Sequence, residues 1–226
     1  MTPIMSMAAA IEVEELFVEH GAAALRGVSL RVAEGESVAV VGDDQASLSL
    51  LVRCCGGLLR PDRGRVRVAG VDVAAADRYA LLDLRRTVGY VSTHGGLLAN
   101  MSLRDNVELP LRYHGRLAAS AIAERAARLL DDAGLTARAD ERASTLPADI
   151  QKCVAYLRAV AMEPRVLLVE DPSALLHPRG RALVRQLHQG LRERGVTVLV
   201  TDDDDAFAAE LTSRQLLVEP AREGAR

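Results

Sequence analysis

Residues 38–59, VAVVGDDQASLSLLVRCCGGLL, have the layout of a loop that cradles phosphate. A run of small and β-branched residues ends at Gly42, and a helix-like run begins near Ser47. The spacing from Gly42 to Leu48 and Ser49 is that of G-x-x-x-x-G-K-[ST]. In such a loop, backbone N–H groups and the lysine hold the β- and γ-phosphates, and the hydroxyl reaches magnesium. Here Ser47 stands where the second glycine belongs, Leu48 stands at the lysine, Leu50 follows Ser49, and Asp43 and Asp44 line the loop. A cradle for anions therefore carries two carboxylates and no cation. The milder alternative is a variant loop that still holds nucleotide through Ser49 and its N–H groups. Ser47 and Ser49 are also candidates to cap the helix.

Two further acidic clusters could do chemistry. Glu170 and Asp171 close an apolar run at residues 166–169, and Asp202 opens a run of four aspartates after residues 196–200. The first pair has the composition of a magnesium and general-base site. The second reads as a solvated acidic turn that caps a helix from Ala206. No metal site is expected from either alone. His94, His114 and His188 read as surface or capping residues. Cys54, Cys55 and Cys153 lack metal-ligand spacing and read as buried thiols in a reducing compartment.

Composition bounds the rest. At 226 residues with 49% hydrophobic and 26% charged content, the chain can bury a sizeable core. The net charge of −3 and the lack of a basic patch with interleaved aromatics argue against a nucleic-acid partner. Of 28 basic residues only Lys152 is a lysine, so no other lysine can reach the loop in place of Leu48. No apolar run approaches the roughly 18 residues that span a bilayer, and the N-terminus does not read as a signal peptide.

The patterning predicts half-exposed strands at residues 11–18 and 28–32 and further strands at 65–68 and 88–91. Buried strands are predicted at 38–41, 166–169 and 196–200, with a helix over 180–194. Residues 102–161 are helical in pattern, including 118–133, and read as an insertion into an α/β parallel sheet. Arg85 and Arg86 read as lying on an exposed helix, and residues 220–226 as a frayed tail.

With this layout the chain resembles the ATP-binding subunit of an ABC transporter over nearly its full length. The likeness extends to LLRPDRGRVRVAG at 58–70, LLANMSLRDNVELPL at 97–111, AVAMEP at 159–164 and VLLVEDP at 166–172. Residues 94–111 and the Gly56-Gly57 pair are most similar to the lipid-trafficking branch. The resemblance implies a single domain with a P-loop NTPase (RecA-like) core. That core comprises residues 8–92 and 163–219, with an N-terminal antiparallel β part and a helical insertion at 93–162.

The same resemblance marks departures. Thr93 stands at the glutamine-loop position. Leu146, Pro147, Ala148, Asp149 and Ile150 stand at the LSGGQ signature, where Pro147 and Ile150 remove donors and Asp149 presents a charge to an anion. Glu170-Asp171 reverses the family's Asp-Glu pair, His177 replaces an aspartate of the dimer-contact segment, and Asp202 stands at the switch histidine. His20 takes the place of the aromatic that stacks on adenine. Losing a lysine–phosphate contact forfeits roughly 1.5–3 kcal/mol. A carboxylate about 4 Å from a phosphate oxygen costs up to about 4 kcal/mol at an effective dielectric of 20.

The expectation is a non-hydrolysing pseudo-ATPase with no cofactor, or Mg-ATP if the loop still serves alone or in a composite dimer. As the resemblance implies, it would act on the cytoplasmic, inner face of the cell membrane. Its partners would be an integral membrane permease subunit and a second nucleotide-binding subunit, as homodimer or heterodimer. The permease cleft is expected to be bordered by residues 93–101.

Overall fold

The computed structural model describes residues 9–114 and 117–218. The expected tail at 220–226 and the N-terminal residues 1–8 lie outside that range. Two sheets carry the fold. Strands β1 (Ala9–His20), β2 (Ala23–Ala33), β4 (Arg63–Val68) and β5 (Val71–Asp72) form an antiparallel sheet in the order β2-β1-β4-β5. Strands β3 (Ser37–Val41), β6 (Val88–Val91), β7 (Val166–Glu170), β8 (Thr197–Asp202) and β9 (Arg214–Leu217) form a parallel sheet in the order β6-β7-β8-β3-β9. The three central strands are buried at every position, which is why they read as continuous apolar runs rather than alternating ones.

Helix α1 (Gln45–Cys55) follows β3 directly and packs between the two sheets. There Leu48, Leu51, Val52 and Cys55 meet Val38, Val40, Leu168 and Leu199. The opposite face of the parallel sheet is covered by α5 (Ala148–Val160), α6 (Pro178–Glu193) and α7 (Asp205–Leu211), through residues such as Tyr156, Val184 and Phe207. Helices α3 (Leu103–Tyr113) and α4 (Ala119–Asp132) pack with the other side of α5 into a third cluster around Val107, Ala126 and Leu157. Helix α2 (Arg78–Thr87) lies ahead of β6 with Arg85 and Arg86 exposed.

The sheet's period of two decides which way its acidic ends point. On β7, Val166 and Leu168 face the α1 core, and Leu167 and Val169 face the α5–α6 core. Glu170 therefore falls on the α1 side. On β8, Leu199 faces α1, and Val198 and Val200 face the other core, so Asp202 falls on the α5 side. The expected strands and helices are present. Strands β5 and β9 were not anticipated, because two residues, or four on a half-exposed edge, leave no readable alternation.

Close approach makes Gly89 obligatory. A Cβ on Gly89 of β6 would lie 2.6 Å from the Ala159 carbonyl oxygen and 2.9 Å from Leu167 Cδ1. Gly190, inside α6, has open space around the same position. Urea denaturation should therefore give opposite signs. Gly89→Ala is expected to destabilise by about 1–3 kcal/mol, and Gly190→Ala to stabilise by about 0.5–1 kcal/mol. Equal effects would contradict the packing described.

Candidate functional site

The phosphate-type loop is closed by its own side chain. Asp44 is the N-cap of α1: its carboxylate accepts from Ser47 N at 3.2 Å and from the Ser47 hydroxyl. The Ser47 hydroxyl oxygen in turn accepts from Ala24 N at 2.9 Å, which ties the loop to β2. The Ser47 side chain, with backbone N–H groups of the loop, holds the Asp44 carboxyl below its ordinary range. The capping residue is thus Asp44, a full turn before Ser49, and the helix begins at Gln45 rather than near Ser47. An aspartate is as good a cap as a serine, and its extra charge suits the positive end of the helix.

Leu48 brings no cation to the loop: its side chain is apolar and packs in the core, with Cδ1 3.9 Å from where a Cβ on Gly42 would stand. It is 2% exposed and belongs to the core between α1 and the sheets. Leu50 is likewise buried, while Asp43 is exposed. Gly42 keeps its structural reason, since a Cβ there would lie 2.6 Å from the Val218 carbonyl oxygen. Both polar atoms of the Gln45 amide are buried without a partner among the described residues. Alongside α1 a cavity of about 440 Å³ is lined by His20, Ser49, Arg53, Tyr90, Ser92 and Glu170, among others.

The acidic side chains at the strand ends divide between the two faces of the sheet. Glu170, facing α1, accepts from the Tyr90 hydroxyl and from Thr93 N at 3.5 Å. Burial and this bond push the Tyr90 hydroxyl far up, so it remains a donor. Across the sheet, Asp202 is fully buried, not solvated. It accepts from Ser173 N at 3.0 Å, Ser173 Oγ at 2.6 Å and Asp204 N at 3.1 Å. The rest of the acidic turn behaves as predicted: Asp203 and Asp205 are exposed, and Asp204 caps α7, accepting from Phe207 N at 2.9 Å. Carboxylate oxygens of Asp171, Asp202 and Asp203 lie within 4.8 Å of one another. Asp171 sits at φ 47°, a left-handed conformation costly for a non-glycine residue, and its N–H is held by the Thr201 carbonyl at 2.6 Å.

Lys152 is the residue that sequence reasoning left out of the site. It is 1% exposed. Its three Nζ protons are shared among four carbonyl oxygens, those of Thr93 (2.7 Å) and Asp171 (2.8 Å) and, at longer range, Ser92 (3.2 Å) and Glu170 (3.3 Å). Burial pulls the ammonium down to about 8, against the pull of Asp171, Asp202 and Glu170, which favour the charge. A signal was available: one lysine in an otherwise arginine-only set of basic residues, placed on a predicted helix.

The signature-position residues open α5. Leu146 is buried, Pro147 is an N-cap without a side-chain bond, Ala148 begins the helix, and Asp149 accepts from Ile150 N at 2.9 Å. His177 is exposed at the N-cap of α6. Nearby, a Cβ on Gly180 would lie 3.3 Å from Asp149 Cβ, so the starts of α5 and α6 touch. His188 corrects its sequence reading. It is fully buried, 3.3 Å from the Tyr156 hydroxyl, and burial pushes it down to about 3.

Burial raises Asp202 to about 6 from 3.8, against the bonds from Ser173 and Asp204 that favour its charge; Asp171 adds repulsion. A carboxyl that holds its proton more tightly when folded adds stability below its unfolded value and loses it as pH rises through about 6. Urea titrations from pH 4 to 7 should show the stability gap between the wild type and Asp202→Asn changing by about 2 kcal/mol. The wild type loses ground as pH rises. A pH-independent gap would contradict this assignment.

Against known proteins, the sequence profile of the family described as ABC transporter matches residues 25–174. The methionine import ATP-binding protein MetN of Caulobacter vibrioides is 39% identical over 196 residues, which is 86% of this chain and 59% of MetN. The macrolide export ATP-binding/permease protein MacB of Rhodospirillum rubrum is 38% identical, over 88% of this chain and 31% of MacB. This chain thus spans less than two thirds of MetN and about a third of MacB. Among solved structures, the ATP-binding cassette MJ0796, a dimer in a post-hydrolysis state bound to ADP and Pi, superimposes with a TM-score of 0.84. That match has 26% identity and covers 94% of this chain and 97% of the other. With its parallel sheet, its loop at β3–α1 and a helical block ahead of β7, the chain belongs to the ABC transporter family and has the fold of its ATP-binding cassettes.

Proposed function

We propose that this chain is a non-hydrolysing member of the family, a structural or regulatory partner of a membrane permease rather than its motor. The observation that carries the reading is the capped loop. Asp44 holds Ser47 N, a donor in the stretch where a phosphate would bind, and Leu48 is committed to the core. The residues present do not fit Mg-ATP. Glu170 is engaged by Tyr90 and Thr93, Asp202 by Ser173, and the Asp171, Asp202 and Asp203 oxygens add negative charge. Phosphoryl transfer relies on positioned cations and donors around the transferred group. The substituted Thr93, Asp149, His177 and Asp202 positions supply none of the expected ones.

The permease role rests on a cleft. Residues 93–162 are proposed as the helical insertion. Between it and β6 lies a cavity of about 350 Å³ lined by Arg85, Tyr90, Pro110, Tyr113, Arg158 and Met162, among others. Arg158 donates to the Gly95 and Gly96 carbonyls at 2.7 and 2.8 Å, which fixes the segment expected to border the permease. Tyr113, in the cavity lining, is 73% exposed, and Leu98, in the bordering segment, is 43% exposed. No helix among the described residues is long and apolar enough to cross a membrane, so attachment would come through the partner. The cargo is a matter for that partner. A lipid-type substrate rests only on residues 94–111 and Gly56-Gly57, whereas the relatives named above concern methionine and macrolides.

A second reading is an ATP-binding subunit in a composite dimer. It is favoured by the relatives' names and by the cavity that remains beside Ser49. Fluorescent ATP with magnesium at low salt separates the two. The wild type should show no binding at micromolar concentrations and no phosphate release. A Asp44→Gly, Ser47→Gly, Leu48→Lys triple variant should bind at least tenfold more tightly than the wild type. Micromolar binding with turnover by the unaltered chain would overturn the proposal.

A further inference from the structure

In a chain whose other basic residues are all arginine, the single lysine is, among the described lysine and arginine side chains, the one buried to 1% exposure. Four main-chain carbonyls converge on its Nζ, at 2.7 to 3.3 Å. Two belong to Ser92 and Thr93, just past β6, and two to Glu170 and Asp171, at the end of β7. The charged groups that face it are Glu170 and Asp171 from β7 and Asp202 from β8, with the Cys153 thiol beside it on α5. Its hydrogen-bond partners, however, are carbonyl oxygens and not carboxylates. A cage of neutral carbonyl dipoles around one compact charge is how proteins hold a hard monovalent cation. An ammonium, a point charge with rotatable donors, suits such a cage, whereas the flat fork of a guanidinium does not.

We propose that the Lys152 ammonium is a tethered monovalent cation, filling a four-carbonyl site that locks the segment after β6 to the strained end of β7. The lock acts at two places. At Thr93 it fixes the start of the segment that borders the cleft. At Asp171 it holds the carbonyl of a residue in the left-handed region, which then presents its carboxylate to Asp202 and Asp203. Because Lys152 lies on α5, which packs into both the sheet core and the helical block, one charge joins all three. The acidic centre is thereby balanced from inside the protein, whether or not the loop takes nucleotide.

The test is chemical rescue. Lys152→Ala should lower the thermal midpoint by roughly 5–10 °C. Ethylammonium chloride, which replaces the missing head group, should restore at least half of that loss. Tetramethylammonium chloride at the same ionic strength, which cannot donate, should restore none. Lys152→Arg should fall with Lys152→Ala, although it keeps the charge. An unchanged midpoint, or equal responses to the two salts, would overturn the proposal. If the alanine variant does not fold, the wild type decides alone. Selective ¹⁵N-lysine labelling yields a single side-chain signal, whose Nζ protons should exchange slowly with water. A freely exchanging ammonium would overturn the assignment.

Discussion

The backbone N–H groups at the start of a helix are a small, fixed supply of donors, and they favour negative charge. At α1 that supply lies at the end of β3, where the parallel sheet opens and a ligand would be expected. Asp44 takes it. Once its carboxylate caps the helix through Ser47, the loop needs no external anion to be stable. Leu48 adds a core contact where a lysine would have to be solvated or paired. On the proposed reading, the helix, the strand before it and the packing between the sheets rest on these internal contacts.

The same self-sufficiency recurs along the sheet's edge. Strand alternation sends Glu170 to one face and Asp202 to the other, and each finds partners within the chain. Glu170 has the Tyr90 hydroxyl, and Asp202 has Ser173 and the Asp204 N–H. An isolated buried carboxylate would be costly. Bonded in this way, with Lys152 beneath, the group becomes a connected polar layer between two hydrophobic cores. The left-handed backbone at Asp171 is the place where that layer is strained, and it is held by the Thr201 carbonyl on one side and Lys152 on the other. Such local cost is tolerated where surroundings over-determine a residue.

Much of this was legible in the residues. The buried strands, the Gly42 turn, the helical block and the changed motif positions are all short-range patterns in the sequence. What escaped was three-dimensional. Asp44 as the cap, in place of Ser47 or Ser49, depends on the backbone geometry of the loop, which several residues could have served. The separation of Glu170 from Asp202 depends on counting faces along β7 and β8 from their cores. His188 looked like a surface residue because its helix is polar overall, yet its position falls on the buried stripe. Lys152 was legible only as the single lysine of the chain; its burial follows from four carbonyls contributed by two strand ends far apart in sequence.

The central claim is that the α1 N-terminus is already occupied by Asp44. The most direct measurement follows the backbone amide resonances of Ala46, Ser47 and Leu48 while Mg-ATP is raised to millimolar concentration. The account predicts that these three signals stay in place and that the Ser47 amide remains protected from exchange throughout. A saturable movement of the Ser47 signal with nucleotide would mean that the phosphate displaces Asp44, and would contradict it.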